Sequence, residues 1–340
     1  MTRPIGVGLV GLGNSGWFYH AEGTIERSSD FDLVAVWSRT PARTAAAAER
    51  FDARGHDAWE RLVVDEAVDV VVVATPHHLH APVALAALAA GKHVVVEKPM
   101  AMNATECAAM IAAAERAGRV LTVFHNRRWE PSFLLLRELV DSGELGEVWR
   151  VEERRMHRGR YTVPGVDRPH AGSDLALWAH EPAGGGGVTN LISPHLVDHQ
   201  LTLHGGPPST VSAVTHTFSD DRVDHYLDLR LGFPEGRLAR IEVFREDVVD
   251  LPKWALWGTL GTAVCPDFET LRVTLADGRT RTYADLAPLQ ACDEFYDGLA
   301  AAIRDGSPPP VDPRDAAAVV QVIDLAHASA RAGGTLLESS

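Results

Sequence analysis

Cysteine is scarce in this 340-residue chain: there are three, Cys107, Cys265 and Cys292, and no C-x-x-C pair. An odd, widely spaced set excludes a disulfide framework or a cysteine-rich zinc module and fits a reducing compartment. Basic charge is also short. Against 46 Asp and Glu stand 32 Lys and Arg, a formal net charge of −14. That balance argues against a nucleic-acid or anionic-membrane partner, and an anionic cofactor would need a locally positive pocket. Long apolar runs are missing. Val70–Ala74 and the Ala-rich Val83–Ala90 fall far below the roughly 20 residues of a membrane span. Ile5–Val10 is too short and Gly-rich for a signal-peptide core, so a cytoplasmic location with no membrane attachment is expected. What remains is ordinary for a folded protein. A hydrophobic fraction of 46% and a charged fraction of 23% exclude disorder as the main description. At about 150 residues per domain, the length suggests two domains.

The first 125 residues alternate short Val/Ile-rich runs with helical patterns. Ile5–Val10, Leu33–Trp37, Val70–Ala74, His93–Glu97 and Val120–Phe124 are nearly continuous apolar runs, as expected for strands of a parallel sheet buried on both faces. The helices between them carry end signals. Thr40-Pro41 reads as an N-cap with Pro at the first position. Asn103-Ala-Thr-Glu106 reads as a capping box closed by Gly118, and Gly91 closes Pro82–Ala90. Repeated βα units predict a doubly wound α/β domain over residues 1–125. A helix over Pro131–Ser142 follows. Alternating runs then dominate: Val148–Met156, Thr210–Phe218, His225–Phe233, Arg237–Phe244, Leu271–Leu275 and Thr280–Tyr283. Turns such as Pro234-Glu-Gly236 and Asp277-Gly278 signal antiparallel hairpins. Helices over Gln290–Asp305 and Pro313–Ala332, the latter capped by Asp312, end the chain. Residues 126–340 are therefore expected to form a second, α+β domain. Its polar, Gly-rich segment Gly159–Gly187 has the character of a binding loop or lid.

Gly11-Leu-Gly13-Asn14-Ser15-Gly16 directly follows the first strand and opens a helix. In that context G-x-G-x-x-G is a strong signal for a dinucleotide. The glycines allow a tight turn and a close backbone approach to a pyrophosphate, whose charge meets the helix N-terminus. The second strand ends Trp37-Ser38-Arg39-Thr40, without the acid that usually binds a ribose 2′-hydroxyl. A carboxylate there would repel a 2′-phosphate, whereas a hydroxyl and a guanidinium would bind one. NADP is thus expected over NAD.

Three further segments carry a resemblance: Ala74-Thr75-Pro76-His77-His78-Leu79-His80, the run Ala89-Ala-Gly91-Lys-His-Val-Val-Val-Glu97-Lys98-Pro99, and the helix containing His195. Together with the Gly-rich loop they make the chain resemble the Gfo/Idh/MocA oxidoreductases over nearly its whole length, including Ala328-Ser329-Ala330. Val123-Phe-His-Asn-Arg-Arg128-Trp129 and Trp37–Thr40 look most like the NADP-dependent scyllo-inositol dehydrogenase branch. The resemblance implies a Rossmann domain, then an open-faced, mainly antiparallel sheet flanked by helices and used for homodimer or homotetramer contacts. It implies hydride transfer between NAD(P) and a sugar, polyol or related carbonyl compound. It also implies cofactor contacts at Thr75, Pro76, His77, His80, Glu97 and Lys98, and a substrate contact at Arg128.

Oxidising a secondary alcohol needs a base for the hydroxyl proton and positive charge beside the developing alkoxide. Lys98 follows a buried strand and falls at the carboxyl edge of the sheet, where α/β folds bind ligands; the family's matching lysine assists proton transfer. Ser193-Pro194-His195 reads as a helix start with Ser193 as N-cap. His195, Asp198, His199 and Thr202 then share one face. A helix N-terminus disfavours an imidazolium at His195, and Asp198 can orient the ring. The family's catalytic histidine matches His195. Asp198, His199 and Asn190 are the expected substrate-side polar groups. One position departs from the pattern. Inositol-type members usually carry an aspartate four residues before that histidine, and here it is Leu191, with Asn190 beside it as a candidate replacement. Leu191 is also the one feature favouring a protein that binds NADP without catalysis, as a sensor or scaffold; a dihydrodiol dehydrogenase is a further alternative. His195-x-x-x-His199 has zinc-ligand spacing, but Leu196 stands where H-E-x-x-H has its glutamate, and no metal is expected. Trp178, Trp254 and Trp257 are candidates for stacking on a sugar face.

Overall fold

The computed structural model describes residues 3–156, 178–218, 222–244, 251–267, 269–286 and 292–339. Their contacts divide them into two compact units. One holds the residues up to Asn126, Trp178 and the described residues from 292 to Val320; the other holds the rest from Arg127 onward. The chain therefore differs from a single cut near residue 125, because residues 292–320 pack with the N-terminal unit. Ala316 and Val320 are part of its core, and Thr122 Oγ1 donates to the Val311 carbonyl at 2.9 Å.

In the first unit β1 (Ile5–Val10), β2 (Phe31–Trp37), β3 (Arg54–Gly55), β4 (Val70–Val73), β5 (His93–Glu97) and β6 (Leu121–Phe124) form a parallel sheet in the order β3-β2-β1-β4-β5-β6. This is the doubly wound order, with its reversal between β1 and β4. The core is made by the valine runs: Val70, Val71, Val72, Val73, Val94, Val95 and Val96 are fully buried. Helices on both faces exclude water, which is why these strands show no polar alternation. The Asn103 half of the capping box forms, and the glutamate reaches one residue beyond the N-cap. Asn103 accepts from the Glu106 N–H at 2.9 Å, and Glu106 reaches back to the Met102 N–H at 3.0 Å. Gly118 closes that helix with φ 60°. Thr40 occupies the N-cap of Pro41–Phe51, but its side chain makes no capping bond. Instead the Thr44 hydroxyl accepts from the Ser38 N–H at 2.9 Å, and the Ser38 hydroxyl accepts from the Thr40 N–H at 3.3 Å.

In the second unit β7 (Val148–Met156), β8 (Thr210–His216), β9 (Tyr226–Gly232), β10 (Leu238–Phe244), β11 (Trp254–Gly258), β12 (Gly261–Cys265), β13 (Leu271–Leu275), β14 (Thr280–Tyr283) and β15 (Leu337–Glu338) form one sheet. Its order is β14-β13-β12-β11-β7-β10-β9-β8-β15. Every pair is antiparallel except β7 with β10. One face packs a core that includes Phe133, Leu136, Val151, Trp254, Leu256 and Val273. The other face carries an ion lattice. Arg154 meets Glu242 at 3.2 Å and Glu152 as well, Glu152 also meets Arg150, and Asp228 is shared by Arg240 at 3.0 Å and Arg230 at 3.1 Å. The sequence pattern missed β3, β11, β12 and β15. β11 is buried on both faces through Trp254, Ala255 and Leu256, so no alternation marks it, and β3 and β15 are two residues long.

Candidate cofactor site and acid/base residues

Gly11 leaves β1 and Thr75 follows β4, so the Gly-rich loop and the Thr75-Pro76-His77 turn flank the point where the strand order reverses. Gly11 has φ +107°, and a Cβ there would lie 2.2 Å from the Ala74 carbonyl oxygen; a Cβ on Gly16 would lie 2.0 Å from the Gly11 carbonyl oxygen. These two glycines are required by the protein's own backbone, one for the turn and one for seating the helix on it. Gly13 is left as the close-approach position for a pyrophosphate, with Asn14 at the N-cap of the helix Ser15–Glu22, which is wound as a π-helix. The Thr75 hydroxyl oxygen is buried without a hydrogen-bond partner. An orphaned polar atom beside a Gly-rich turn at the switch point fits a dinucleotide, whose polar edges would satisfy it.

Ser38 and Thr40 are partly buried at the end of β2, and Arg39 is exposed with no ion-pair partner among the described residues. Ser38 accepts from Thr40 and keeps its own proton to donate. A guanidinium and a hydroxyl are thus together where a 2′-phosphate would lie.

The other expected contacts separate into two kinds. His77 is buried and stands edge-on to Trp178, with ring centroids 4.8 Å apart. His80 is fully buried, its Nδ1 at 2.8 Å from the Pro99 carbonyl oxygen and its Nε2 at 3.0 Å from that of Thr75. Burial lowers its pKa, although the two carbonyls favour a proton. Both ring nitrogens face main-chain carbonyl oxygens, to one of which the ring N–H donates, so His80 packs the Thr75 turn against the Lys98-Pro99 segment and turns neither nitrogen outward. Glu97 is likewise turned inward. It accepts from the Ser15 hydroxyl, from His20 Nε2 at 3.3 Å and from the Lys98 N–H at 3.1 Å. Burial acts to raise its pKa, but the hydrogen bond from His20, the charge of Lys98 and the hydrogen bond from Ser15 outweigh it and bring it down to about 2. Lys98 is partly buried at the carboxyl end of β5, and its bond to Pro99 is cis. His20 and Tyr296 had no sequence signal. They belong to this site because Glu97 does.

In the second unit His195 sits on the helix Ser193–His204. Ser193 is not its cap. A turn, Val188–Leu191, runs directly into it through Ile192, and the Ser193 hydroxyl donates back to the Thr189 carbonyl. Peptide dipoles therefore begin at Val188, and the bias against an imidazolium at His195 is weaker than a free helix start would give. The expected polar face is divided. Asp198 is held in a two-point ion pair by Arg128, Nε at 2.9 Å from Oδ2 and Nη2 at 2.6 Å from Oδ1. His199 points into the core. It stacks on Phe133 with centroids 4.1 Å apart, with Nδ1 at 2.9 Å from Glu153 and Nε2 at 3.1 Å from the Arg127 carbonyl. With both nitrogens taken, His199 is not available to substrate or to a zinc ion. Among the described residues no group of three His, Cys, Asp or Glu side chains is placed to hold a metal.

Asn190 is spoken for as well. Its amide N donates to the Gly186 carbonyl at 3.0 Å and its oxygen meets His327 Nε2 at 3.0 Å. It does not stand in for the missing aspartate. Leu191 lies one helical turn before His195. Trp254 is fully buried against His199 and Phe133, and Trp257 lies under Arg150 on the charged face of the sheet. Of the three tryptophans only Trp178 is beside a residue of the candidate site. The segment 159–177 of the Gly-rich loop lies outside the described residues.

A phosphate loop at the switch point of a six-stranded parallel sheet, joined in one chain to a nine-stranded mainly antiparallel sheet, defines a two-unit dinucleotide-binding oxidoreductase fold. The model of the oxidoreductase family with an NAD-binding Rossmann fold matches residues 5–125, and that of the GFO/IDH/MocA C-terminal domain matches residues 133–264. The chain belongs to the Gfo/Idh/MocA family. It is 35% identical over 219 residues to the uncharacterized oxidoreductase YdgJ of Escherichia coli, a match covering 62% of this chain and 56% of that protein. It is 31% identical over 204 residues to the scyllo-inositol 2-dehydrogenase (NADP(+)) IolW of Bacillus subtilis, covering 60% and 52%. These matches span about half the length of the relatives. The crystal structure of an aldose-aldose oxidoreductase from Caulobacter crescentus complexed with glycerol, 26% identical, superposes with a TM-score of 0.83 over 99% of this chain and 100% of that one. No helix among the described residues is long and apolar enough to cross a membrane.

Proposed function

We propose that this chain is an NADP-preferring oxidoreductase acting on a hydroxyl- or keto-bearing carbon of a sugar, polyol or glycoside, with Lys98 and His195 as its acid/base residues. The observation that carries the proposal is the common sheet edge of Gly11, Thr75 and Lys98, the edge at which α/β folds bind ligands. When bound, the nicotinamide supplies the hydride acceptor or donor. The Lys98 ammonium stabilises charge on the substrate oxygen as the proton leaves, and His195 takes or returns that proton. Asp198, neutralised by Arg128, is the substrate-side carboxylate of this reading. A cytoplasmic enzyme assembled as a homodimer or homotetramer through the open sheet is consistent with the ion lattice on that face, and the relatives' sugar and polyol substrates support the substrate class. The test is a panel of sugars, polyols and dihydrodiols with NADP and NAD, followed by nicotinamide absorbance. Turnover of none of them by a protein that still binds NADPH would replace this reading by a silent NADP-binding protein.

Cofactor choice is tested separately. Arg39→Ala removes the exposed guanidinium and should weaken NADPH about tenfold or more, the worth of a charge-assisted hydrogen bond, while leaving NADH nearly unchanged. Equal loss for both cofactors in a fluorescence titration would contradict a 2′-phosphate contact.

Leu191 argues against a dedicated inositol dehydrogenase. An inositol ring carries a hydroxyl on every carbon, and an enclosed one without a partner costs about 1–3 kcal/mol. Substrates less hydroxylated there, such as deoxy-sugars, anhydro-sugars or glycosides, avoid that cost. The kcat/KM for scyllo- and myo-inositol should rise about tenfold in Leu191→Asp, since roughly 1.4 kcal/mol is a factor of ten. An inositol as the best substrate of the parent, with lower activity in Leu191→Asp, would reverse the argument.

A further inference from the structure

Ser15 and His20 lie five residues apart on the helix that opens from the phosphate loop, and both bind the same oxygen of Glu97. On an α-helix, advancing about 100° per residue, positions five apart face different directions. The π winding of Ser15–Glu22 brings them to one side. His20 is completely buried, and its Nδ1 lies 2.7 Å from the hydroxyl of buried Tyr296, on the helix Asp293–Asp305. A phenol proton donated to Nδ1 leaves the Nε2–H to donate to Glu97, so Tyr296 selects the tautomer that holds the carboxylate. The imidazole also lies against Phe124, centroids 4.3 Å apart, and Tyr296 stands edge-on to Phe31 at 5.2 Å. Neither ring has room to turn.

A serine hydroxyl has one proton, and Ser15 gives it to Glu97. It is therefore no donor to a pyrophosphate, and the anion contacts of the turn fall to main-chain N–H groups. We infer that Tyr296, His20 and Glu97 form a positioning strap for the cofactor site, fixing the first turn of the phosphate helix from behind and the Lys98 main chain through its N–H. The inference rests on the dinucleotide reading above. None of the three touches the cofactor, yet dinucleotide affinity depends on them.

The experiment is a fluorescence titration of NADPH with the full chain and four variants, with thermal melts to confirm folding. His20→Leu removes both hydrogen bonds and should raise Kd about tenfold or more. In His20→Gln the amide donates to Glu97 and its oxygen accepts from Tyr296, and Kd should return to within about threefold of the parent. Tyr296→Phe loses only the hydroxyl and should weaken binding about threefold to tenfold. Ser15→Ala removes the bond between Glu97 and the first turn of the helix and should weaken binding about threefold to tenfold, like Tyr296→Phe. Parent-like affinity in His20→Leu, or in Tyr296→Phe where His20→Leu does not fold, overturns the strap alone. So does a tenfold loss in Ser15→Ala beside normal Tyr296→Phe. A parent that binds neither NADPH nor NADH overturns the strap and the dinucleotide reading together.

Discussion

Lys98→Met is expected to lower turnover by about 10²–10⁴-fold, the usual contribution of a positioned acid/base or charge-stabilising group, while NADPH still binds and the fold is kept. The reason lies in how Lys98 is held. Its main-chain N–H bonds to Glu97 at 3.1 Å, and that bond survives any change of side chain. Methionine keeps the apolar stem and removes only the ammonium. His195→Ala is expected to have a loss of similar size. The two residues nearest in sequence cannot replace it as base. Asp198 is clamped by Arg128, and His199 has Glu153 on one nitrogen and the Arg127 carbonyl on the other. Initial rates on the best substrate of the panel, with NADPH affinity measured in parallel, separate chemistry from binding. Near-normal turnover in either variant would remove that residue from the mechanism.

The elements that place these residues were legible where a local rule sufficed. β1, β5, β7, β13 and β14 are found over the residues the apolar pattern marks, and Gly11-x-Gly13-x-x-Gly16 lies at the switch point. Reading stopped where the outcome depended on partners far away in the chain. His195, Asp198, His199 and Thr202 share a helical spacing, but a helix buried nearly all round has no polar face. What Asp198 and His199 do is decided by Arg128, 70 residues earlier, and Glu153, 46 residues earlier. Ser15 belongs to a phosphate-loop motif, yet its proton goes to a carboxylate 82 residues on. His80 sits in a cluster with His77 and His78, and only the folded chain shows its ring set between two carbonyls. Ser193-Pro194 has the form of a helix start, and the turn Val188–Leu191 in front of it overrides that signal.

The largest stability effect is expected away from the cofactor, at Lys253. Its ammonium is buried, 2.8 Å from Glu130 and 3.2 Å from the Ser132 hydroxyl, and Glu130 is also bound by Arg127 at 2.5 Å. Burial acts to raise the Glu130 pKa, and the charges of Arg127, Lys253, Arg155 and His199 outweigh it and bring it down to about 2. A carboxyl whose pKa is lowered on folding contributes stability above its unfolded value, ordinarily near 4.5, and loses it as pH falls toward about 2. Lys253→Met leaves Glu130 ionised and under-paired in the interior, which costs about 3–5 kcal/mol. At roughly 2–4 °C per kcal/mol for a unit of this size, the thermal midpoint should fall by on the order of 10 °C. Glu130→Gln on the same background removes the under-paired charge and should recover part of that loss, the rest being the ion pair with Arg127 that it gives up. The difference has a functional side. Arg127 and Arg128 lie on the turn Asn126–Trp129, so Glu130, through Arg127, holds the segment from which Arg128 reaches Asp198. Lys253→Met should therefore also loosen that ion pair and raise KM more than it lowers kcat. Denaturant unfolding of the single and double variants at neutral pH checks the energetic claim. A Lys253→Met protein as stable as the parent would mean that the interior carries this charge without its partner.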